Sequence, residues 1–410
     1  MLTLTEEDRS ILGGEFGPMA ARAMKILVRY GEATGATEFV SIRSAHIDGC
    51  LYHGPSSIDF AQSFVKLGGL VRVPTTLNVA AADVTHPEWH CGDPSTLNEQ
   101  KKLTDFYTQI GCIPSLTCAP YQRLVRPQFG DHIAWAESNA IVFANSILGA
   151  RTDRYGDFAD LCAALTGRVP LVGLHRDENR HPELLVTVPK VSETKLPRDL
   201  YFGATGYLLG LCAKGKIPYV RGLPEDASED ELKALGAAGA SSGSLALFHA
   251  EHLTPETHDI NASHLPHLEF SSDELGAVID DHCSAKTGDP VAAICLGTPH
   301  YSKDEFIRLS DTIIGRKKAP SVDFYVSTSR EIAEHINTHS RFAPLREFGV
   351  RLIVDTCTYL APVVDRRDGY ILTTSAKYAH YGPGNLNRRI ALMTLERCIN
   401  AAVAGKVAPC

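Results

Sequence analysis

Three cysteines occupy matching positions in the sequence and could act together as metal ligands. Each ends or follows an apolar run that predicts a β-strand: Cys118 in LTCAPY, Cys295 in AICLGTPH and Cys357 in VDTCTYL. Because the carboxyl ends of parallel strands border the ligand crevice of an open α/β sheet, these thiols are expected to lie there. Three thiolates could hold an iron–sulfur cluster and leave one iron open to act as a Lewis acid. Three unrelated core cysteines are the alternative, since free cysteine is usually a small buried apolar residue.

A histidine and an aspartate follow a strand predicted at residues 38–44. In the segment SAHIDG, His46 and Asp48 could orient one another, or His46 could hydrogen-bond a substrate hydroxyl. A strand-end histidine with satisfied hydrogen bonds is the alternative. Nearby backbone N–H groups and one side-chain amide are suited to a carboxylate or a phosphate. They belong to Gly49, Cys50, Leu51, Asn78 and Val79.

Three basic side chains are candidate anchors for a substrate anion. Arg151 and Arg154 lie in RTDR, after a predicted helix, and guanidinium groups are suited to bidentate recognition of a carboxylate. A solvated charged turn is the alternative for this pair. Lys377 follows Ser375 by two positions in TTSAKYAHYGPG, a predicted loop that is dense in hydrogen-bonding groups.

The other cysteines and the known short motifs give less support to a function. There are 11 cysteines, an odd number at wide spacings with no Cys-x-x-Cys, which excludes a disulfide framework, zinc ribbons and ferredoxin-type loops. Cys162 and Cys398 lie on apolar faces of predicted helices, which indicates packing. The sequence contains no P-loop, no G-x-G-x-x-G after a strand and no H-E-x-x-H, so NTPases, nicotinamide enzymes and zincins have no support.

The composition is that of an ordinary globular protein. The 410 residues are 44% hydrophobic and 21% charged, enough for two or three domains with substantial cores. A net charge of −8 without a basic run argues against nucleic acid or an anionic membrane as a partner. No apolar run approaches the roughly 18–20 residues of a membrane helix. The acidic N-terminus MLTLTEEDRS lacks a signal-peptide pattern, so a cytoplasmic protein is expected.

Strand-like runs alternate with helical patterns along the whole chain. This alternation predicts an α/β fold with mostly parallel sheets covered by helices on both faces. The predicted strands include residues 38–44, 70–75, 112–117, 169–173, 218–221, 244–249, 291–294, 322–326 and 351–355, and the predicted helices include 20–30, 58–67, 97–110, 133–146, 198–213, 225–235, 304–314, 330–338 and 388–404. A polar, proline-containing stretch at 187–197 predicts a boundary between an N-terminal α/β region, 1–186, and C-terminal α/β regions, 198–410. A further linker is predicted near 254–271.

Five segments in order along the chain resemble the aconitase X family, and specifically its catalytic large subunit. They are SAHIDG at 44–49, TTLN at 75–78, TCAPY at 117–121, ESNAIVFANSILGARTDR at 137–154 and TTSAKYAHYGPG at 373–384. The resemblance covers essentially the whole chain. It implies an aconitase-like fold of three α/β domains around a central iron–sulfur site. It also implies that this chain lacks the swivelling domain of the family.

The resemblance further implies a cofactor and its ligands. Cys118, Cys295 and Cys357 are the expected ligands of an iron–sulfur cluster, either 2Fe-2S or 4Fe-4S. Ordinary aconitases place two of three ligands in a Cys-x-x-Cys, a pattern that this chain does not have. By the same resemblance, the segments at Gly49–Leu51, Asn78–Val79 and Lys377 bind the substrate.

Members of the family dehydrate either cis-3-hydroxy-L-proline, in bacteria, or mevalonate 5-phosphate, in archaea. The modest charge content is not typical of a hyperthermophile, which favours the first substrate and Δ1-pyrroline-2-carboxylate as the product. Mevalonate 5-phosphate dehydration is the alternative. A non-catalytic metal-binding protein of the same fold is a further alternative.

The resemblance also predicts a protein partner. The swivelling domain of these enzymes carries a serine base, and it is expected on a separate small subunit that completes the active site. That base would remove the α-proton of a small hydroxy acid. Arg151, Arg154 and Lys377 would hold substrate anions, and His46 would donate a proton to the leaving hydroxyl.

Overall fold

The computed structural model describes residues 2–258 and 260–408. The chain divides into two compact units. Unit 1 consists of Met1–Ala81, Ser95–His181 and Thr254–Glu256, and unit 2 consists of Ala82–Pro94, Pro182–Leu253 and Thr257–Cys410. The boundary at 187–197 and the linker at 254–271 stay predictions, because a division by compactness is not a division into folding domains. Within the described residues, no helix is both long enough and apolar enough to cross a membrane.

Unit 1 is an α/β unit built on a small parallel sheet. Its strands are β1 (Phe39–Ser41), β2 (Ala45–Ile47), β3 (Thr75–Leu77), β4 (Ala134–Trp135) and β5 (Arg168–Pro170). Its helices are α1 (Glu6–Gly13), α2 (Gly17–Thr34), α3 (Pro55–Val65), α4 (Pro94–Gln109), α5 (Ser138–Val142) and α6 (Ala159–Thr166). The parallel sheet has the order β3-β2-β4, while β1 and β5 form a separate antiparallel pair. The central strand of the sheet therefore carries His46.

Two predicted strands of unit 1 have different bounds in the structure. The run 38–44 is divided between β1 and β2, because the N–H groups of Ile42 and Arg43 bond to carbonyls of two different segments, Gly167 and His132. The chain thus passes from one sheet to the other at this point. The strand predicted at 70–75 begins only at its last residue, where β3 starts.

One further prediction for unit 1 is wrong in type, and another is right only in its later part. Residues 112–117 make only an isolated bridge, between Ile113 and Thr76, in place of the predicted strand. The helix predicted at 133–146 begins as β4, and helix α5 starts where the Glu137 side chain caps the N–H of Ala140 at 2.6 Å. A π-helical turn, Phe143–Ile147, follows α5. A continuous apolar run does not distinguish a buried strand from a buried helix, which explains this error.

A buried ion pair connects the first helix of unit 1 to the β1–β5 pair. The Nε of Arg168 in β5 lies 2.8 Å from Asp8 Oδ1, and the side chains of both residues are almost completely buried. The guanidinium also donates to the carbonyl of Phe39 in β1 at 3.0 Å. Asp8 in turn accepts the N–H of Thr5 at 2.9 Å in a capping box that begins α1. This network fixes the N-terminal helix on unit 1.

Unit 2 contains two parallel sheets with helices between their strands. Its strands are β6 (Leu184–Thr187), β7 (Pro218–Arg221), β8 (His249–Ala250), β9 (His267–Glu269), β10 (Val291–Leu296), β11 (Asp323–Ser327), β12 (Arg351–Ile353), β13 (Tyr370–Thr373) and β14 (Ile390–Leu392). Its helices are α7 (Arg198–Ala213), α8 (Glu229–Gly243), α9 (Ser272–Asp281), α10 (Lys303–Ile313), α11 (Arg330–Thr338), α12 (Ala343–Phe348), α13 (Ala376–Leu386) and α14 (Leu395–Ala404). The sheets have the orders β8-β7-β6-β9 and β12-β11-β10-β13-β14. The α/β prediction is confirmed.

The five-stranded sheet reverses its strand order next to β10. From β10 the chain moves outward through β11 to β12, and it then returns to β13 and β14 on the other side of β10. Ligands of open α/β sheets bind outside the carboxyl ends of the strands at such a switch point. All six residues of β10 are buried, and Ile294 and Leu296 pack into the main hydrophobic core of unit 2. The switch point therefore lies between the ends of β10 and β13.

The segment around Ser375 is a helix and not the predicted loop. Ser375 caps α13 by accepting the N–H of Tyr378 at 3.1 Å, and the helix continues through Pro383. The sequence predicted a loop over the whole segment 373–384, and it did not predict β13 or β14. Burial of Tyr378 and Ala379 against the unit outweighs the low helix propensity of glycine and proline.

Candidate functional site

In unit 1, His46 is completely buried in the centre of the small sheet. Its Nδ1 lies 2.8 Å from Thr76 Oγ1 on β3, and its ring centroid is 5.9 Å from that of Trp135 on β4. Its Nε2 is buried and makes no hydrogen bond to the residues that the structure describes. Burial lowers the pKa of His46 to about 4, although Glu137 and Asn78 oppose this shift. The imidazole is therefore neutral at pH 7.

Asp48 lies just beyond the end of the same strand and is better suited to carry a proton. Burial and the neighbouring Glu137 carboxylate raise the pKa of Asp48 to about 7, while a hydrogen bond from Asn78 Nδ2 opposes the shift. A fully buried carboxylate, Asp160, accepts the backbone N–H of Asp48 at 2.7 Å. Its pKa is also raised by burial, to about 6. Asp48 can therefore hold a proton near neutral pH, and the role of proton donor predicted for His46 stays a prediction.

The loop after Asp48 is fixed by hydrogen bonds within unit 1. Tyr107 donates its hydroxyl to the carbonyl of Gly49 at 3.1 Å, and Gln100 donates to the carbonyl of Cys50 at 3.0 Å. The Cys50 thiol donates to the carbonyl of Ile47 at 3.2 Å, and burial raises its pKa well above the usual value. Cys50 is thus held as a neutral thiol within the core.

The backbone donors predicted to bind substrate are partly used within this loop. The N–H of Leu51 donates to the carbonyl of Asp48 at 3.2 Å, and the N–H of Asn78 donates to the carbonyl of Ile47 at 2.9 Å. Val79 is buried. The structure places these residues beside Asp48, and their role in binding substrate stays a prediction.

The two predicted arginine anchors differ in their surroundings. Arg151 is buried, and its guanidinium lies 2.9 Å from Asp177 and 3.1 Å from Glu256. Arg180 pairs with the same Glu256 carboxylate, so these charges form a structural network within unit 1. Arg154 is exposed. The sequence could not distinguish an arginine that closes an ion-pair network from one that faces a ligand.

In unit 2, a cavity of about 300 Å³ opens at the switch point of the five-stranded sheet. Gly297 and Thr298 border it from the end of β10, and Thr374 and Ser375 border it from the end of β13. Gly297 has a φ of +86°, and a Cβ on this residue would lie 2.1 Å from the carbonyl oxygen of Ser327. Only glycine allows the chain to turn this closely past β11. Of the predicted binding residues, Ser375 thus lies at this cavity.

A buried ion-pair network forms one wall of this cavity. Lys233 of α8 lies 2.9 Å from Asp230 and 2.6 Å from Glu305, and its side chain is 2% exposed. Burial by itself would lower the pKa of Lys233, but the two carboxylates outweigh it and raise the pKa to about 12. Lys233 also donates to the carbonyl of His300 at 3.3 Å. The network therefore connects α8 to the segment that follows β10.

His300 and Cys357 lie together beyond the carboxyl ends of β10 and β12. Each places a ligand atom within 4.8 Å of that of the other, and both residues are buried. The His300 Nε2 is 3.1 Å from the carbonyl oxygen of Thr356, the residue before Cys357. Sequence reasoning missed His300. Its signal was available, because it follows Cys295 by five positions in the same strand-end segment.

Cys295 occupies a different environment within unit 2. It lies inside β10, its thiol is completely buried, and burial raises its pKa to about 12 although a hydrogen bond with Tyr378 opposes the shift. The Tyr378 hydroxyl also contacts the carbonyl of Thr358 at 3.2 Å. Lys377, the neighbour of Tyr378, is likewise buried.

Comparison with known proteins assigns the chain to a family. The models of the aconitase X first, second and third domains match residues 1–178, 182–280 and 291–404. The cis-3-hydroxy-L-proline dehydratase of Pseudomonas aeruginosa is 39% identical over 97% of this chain and 70% of its own length. The chain belongs to the aconitase X family. The homologous dehydratase of Hypocrea jecorina is also 39% identical, over 98% of this chain and 69% of that protein.

Two other proteins match over nearly their whole length. The phosphomevalonate dehydratase large subunit of Methanosarcina mazei is 34% identical over 98% of both chains. The crystal structure of Thermococcus kodakaraensis aconitase X, in its holo-form, has a TM-score of 0.88 and 32% identity, and covers 98% of this chain and 100% of its own. The predictions of an aconitase X fold and of a hydro-lyase are therefore confirmed.

The unit 2 residues fit the iron–sulfur cofactor expected of an aconitase X. Cys357 offers a thiolate and His300 a ring nitrogen, both protected from solvent. Three buried hydroxyls at the same sheet edge, those of Thr298, Ser327 and Thr356, have no hydrogen-bond partner among the described residues. An unpaired buried hydroxyl costs about 1–3 kcal/mol, so a bound group with acceptor atoms would stabilise this edge.

Cys118, the third cysteine that was predicted to bind the cofactor, belongs to unit 1. Cys118 is buried, and Asn139 of α5 donates to its backbone carbonyl at 3.0 Å. The N–H of Ala119 donates to Thr117 Oγ1 at 3.2 Å. These bonds fix the backbone on either side of the thiol, although no regular strand precedes it.

Proposed function

We propose that this aconitase X chain dehydrates cis-3-hydroxy-L-proline to Δ1-pyrroline-2-carboxylate. The observation that carries this proposal is the 39% identity to two enzymes named for that reaction. The phosphomevalonate dehydratase large subunits are less similar, at 28–35% identity. Both groups of relatives are dehydratases, so the proposal is a choice between their two substrates.

The charges around the unit 2 cavity support an amino acid substrate. Four acidic side chains and three basic ones line it: Asp199, Asp230, Glu231 and Glu305 against Arg198, Lys233 and Arg308. All three basic groups already pair with carboxylates of the same wall: Arg198 with Glu231, Lys233 with Glu305 and Arg308 with Asp230. A zwitterion with one carboxylate and one ammonium group suits such a balanced wall. A dianionic phosphate would require surplus cations, as in other phosphate sites.

The reaction breaks the C2–H and C3–OH bonds of the substrate and forms an enamine, which tautomerises to the product. Asp48, whose pKa is raised to about 7, is the group we assign to protonate the departing hydroxyl. Asn78 Nδ2 would then stabilise the carboxylate that remains, because it donates to Asp48 Oδ1. Neutral His46 would help to exclude water from this end of the sheet.

An iron–sulfur cofactor would supply a Lewis acid for the hydroxyl when it is bound. The resemblance assigns it to Cys118, Cys295 and Cys357. We propose the same three cysteines as its ligands. Gly49, Ser375 and Lys377, with their neighbours, are the proposed substrate-binding residues.

We infer that a swivelling domain supplies the base that removes the C2 proton. The archaeal relatives are named large subunits, which supports a multisubunit arrangement for those proteins. For this chain, the base would come from a small subunit. The side chains described around Asp48 provide a proton donor, and we assign none of them as the base.

The test is an anaerobic assay of the purified chain with both substrates, with and without the candidate small subunit. We expect turnover of cis-3-hydroxy-L-proline, dependence on the added subunit, and at least a hundredfold loss in Asp48→Asn, since general acid catalysis contributes about 10²–10⁴ in rate. Turnover of mevalonate 5-phosphate alone would refute the proposed substrate. Full turnover without an added subunit would refute the proposed partner.

Mevalonate 5-phosphate remains the second candidate substrate. The match to the Methanosarcina large subunit over 98% of both chains favours it, because the hydroxyproline dehydratases are matched over about 70% of their length. The same assay separates the two candidates directly.

A further inference from the structure

Asp160 is a buried carboxylate to which the proposed chemistry gives no role. It lies in the first turn of α6 and is completely buried. One carboxylate oxygen accepts the backbone N–H of Asp48 at 2.7 Å, and the other accepts the N–H of Leu161 at 2.6 Å. The first N–H groups of a helix have no partner within the helix, and the carboxylate satisfies one of them. Asp160 thus connects the start of α6 to the chain just beyond β2.

The loop that follows Asp48 packs against the same end of α6. A Cβ on Gly49 would lie 3.6 Å from the backbone nitrogen of Phe158, the N-cap of α6, and 3.4 Å from the Tyr107 hydroxyl. Asp48 retains some exposed surface, whereas Asp160 has none. A ligand can therefore reach Asp48 but not Asp160, so any effect of Asp160 on the reaction passes through another residue.

The two carboxyl groups differ in what stabilises their ionised forms. Asp160 accepts two backbone N–H groups, and the N–H of Gly49 favours its ionised form as well, so burial raises its pKa only to about 6. Burial and Glu137 raise the pKa of Asp48 to about 7, and Asp157 and Asp160 add to this shift. When two nearby carboxyl groups have different environments, one ionises first and its charge opposes ionisation of the other. Asp160 is the group that ionises first here.

Other titratable groups around Asp160 are neutral near pH 7. Burial raises the pKa of each of the following groups: the Tyr107 hydroxyl of α4 and the thiols of Cys50, Cys112 and Cys162. His46 of β2 is neutral because burial lowers its pKa to about 4. The charged groups that act on Asp48 are the carboxylates of Glu137, Asp157 and Asp160.

We propose that Asp160 is a positioning residue for the proton donor: it fixes the backbone at Asp48, and its negative charge opposes ionisation of the Asp48 carboxyl. This inference rests on the proposed role of Asp48 in the dehydration. Asn78 holds the side chain of Asp48, and Asp160 holds its main chain. A reacting group that is supported in this way is preorganised. The carboxyl therefore meets the departing hydroxyl with its proton in place.

The test is the pH dependence of cis-3-hydroxy-L-proline dehydration by the cofactor-loaded enzyme with its small subunit. Asp160→Asn keeps one acceptor oxygen for the N–H of Asp48 but carries no charge. We expect the alkaline limb of kcat/KM, where the proton donor ionises, to move to lower pH. Asp160→Ala should move the limb and also lower kcat about a hundredfold, with a smaller change in KM, because a misplacement of about 1 Å costs about 10² in rate.

Asp157→Asn is the matched control. Asp157 also raises the pKa of Asp48, but it is exposed, so solvent screens its charge, and it does not hold the N–H of Asp48. The control removes the same charge and should move the alkaline limb less than Asp160→Asn does. An unmoved limb in Asp160→Asn, or an equal shift in both variants, would overturn the role of Asp160 and leave the proposed dehydratase intact.

Infrared difference titration of the purified chain tests the inference without turnover. The C=O band of the protonated Asp48 carboxyl is identified by its loss in Asp48→Asn. It should disappear near pH 7 in the unmodified chain and at lower pH in Asp160→Asn. An enzyme that turns over neither substrate would refute the proposed function, while an unmoved band in Asp160→Asn would refute the inference.

Hydrogen exchange on the unmodified chain provides a measurement that does not depend on the folding of any variant. The amide of Asp48 lies outside the strands and helices, and its hydrogen bond to Asp160 should make it exchange as slowly as the amides of β2. Fast exchange at this amide, as in an ordinary loop, would contradict the positioning role of Asp160.

Discussion

Replacing Lys233 by methionine should destabilise unit 2 severely. The ammonium group lies 2.9 Å from Asp230 and 2.6 Å from Glu305 with a side chain that is 2% exposed. Methionine fills a similar volume but leaves Glu305 without its cation and Asp230 with only the more distant Arg308, 3.7 Å away. Removing one partner of a buried ion pair costs about 3–5 kcal/mol, because the remaining charge stays desolvated. We expect a loss of about 3–5 kcal/mol in the free energy of unfolding.

Arg198→Met is the control for this prediction. Arg198 pairs with Glu231 at 2.6 Å and Asp226 at 3.0 Å, so it makes as many carboxylate contacts as Lys233, but its side chain is 39% exposed. Solvent screens such pairs, and exposed ion pairs contribute about 0–1 kcal/mol. Comparison of the two variants therefore isolates the effect of burial.

The assay is guanidinium unfolding at pH 7, followed by circular dichroism. Adding Glu305→Gln to Lys233→Met should recover part of the loss, because the double variant carries one uncompensated charge fewer. If Lys233→Met loses less than about 1 kcal/mol, or no more than Arg198→Met, the buried charges are not coupled as the structure indicates.

Three further substitutions test other parts of the structure. Asp48→Asn should gain stability relative to the unmodified chain as the pH rises from about 4 to about 7. The raised pKa of Asp48 stabilises the fold at low pH, and this contribution is lost as the carboxylate ionises. Equal denaturation midpoints of the two proteins across this range would contradict the shift. Asp8→Asn should cost about 3–5 kcal/mol at pH 7 by leaving Arg168 buried without its carboxylate, and a loss under 1 kcal/mol in denaturant unfolding would refute this. Tyr378→Phe should cost about 1 kcal/mol by removing the hydrogen bond to the Thr358 carbonyl, and an unchanged unfolding midpoint would show that this bond adds no net stability.

The sequence determined the fold class and the family of this protein. The predicted alternation of apolar strands and amphipathic helices forms parallel sheets in the structure. Helix α7 and strand β7 have the predicted bounds. Five motifs distributed over the chain identified the aconitase X family before any geometry was known, and the family models match the same regions. Local patterns carry this information because hydrophobic periodicity and helix capping depend on residues that are close together in the sequence.

Elements that depend on distant contacts were predicted poorly. The segment after Ser375 contains Gly382, Pro383 and Gly384 and still forms helix α13, since burial of Tyr378 outweighs local propensity. Strands β13 and β14 are only four and three residues long, and they exist because each pairs with a neighbour in the five-stranded sheet. Pairing partners cannot be read from a short apolar run.

The chemistry of the candidate site was decided by tertiary structure. The sequence offered His46 as a proton donor, but burial makes its ring neutral and raises the pKa of Asp48 instead. It offered Arg151 as an anion anchor, but two carboxylates from other segments surround that guanidinium. It offered Cys295 and Cys357 as ligands, which stays a prediction, and the fold also brings His300 near Cys357. Residue types can be read from the sequence, but desolvation and charge pairing depend on segments that meet only in the folded chain.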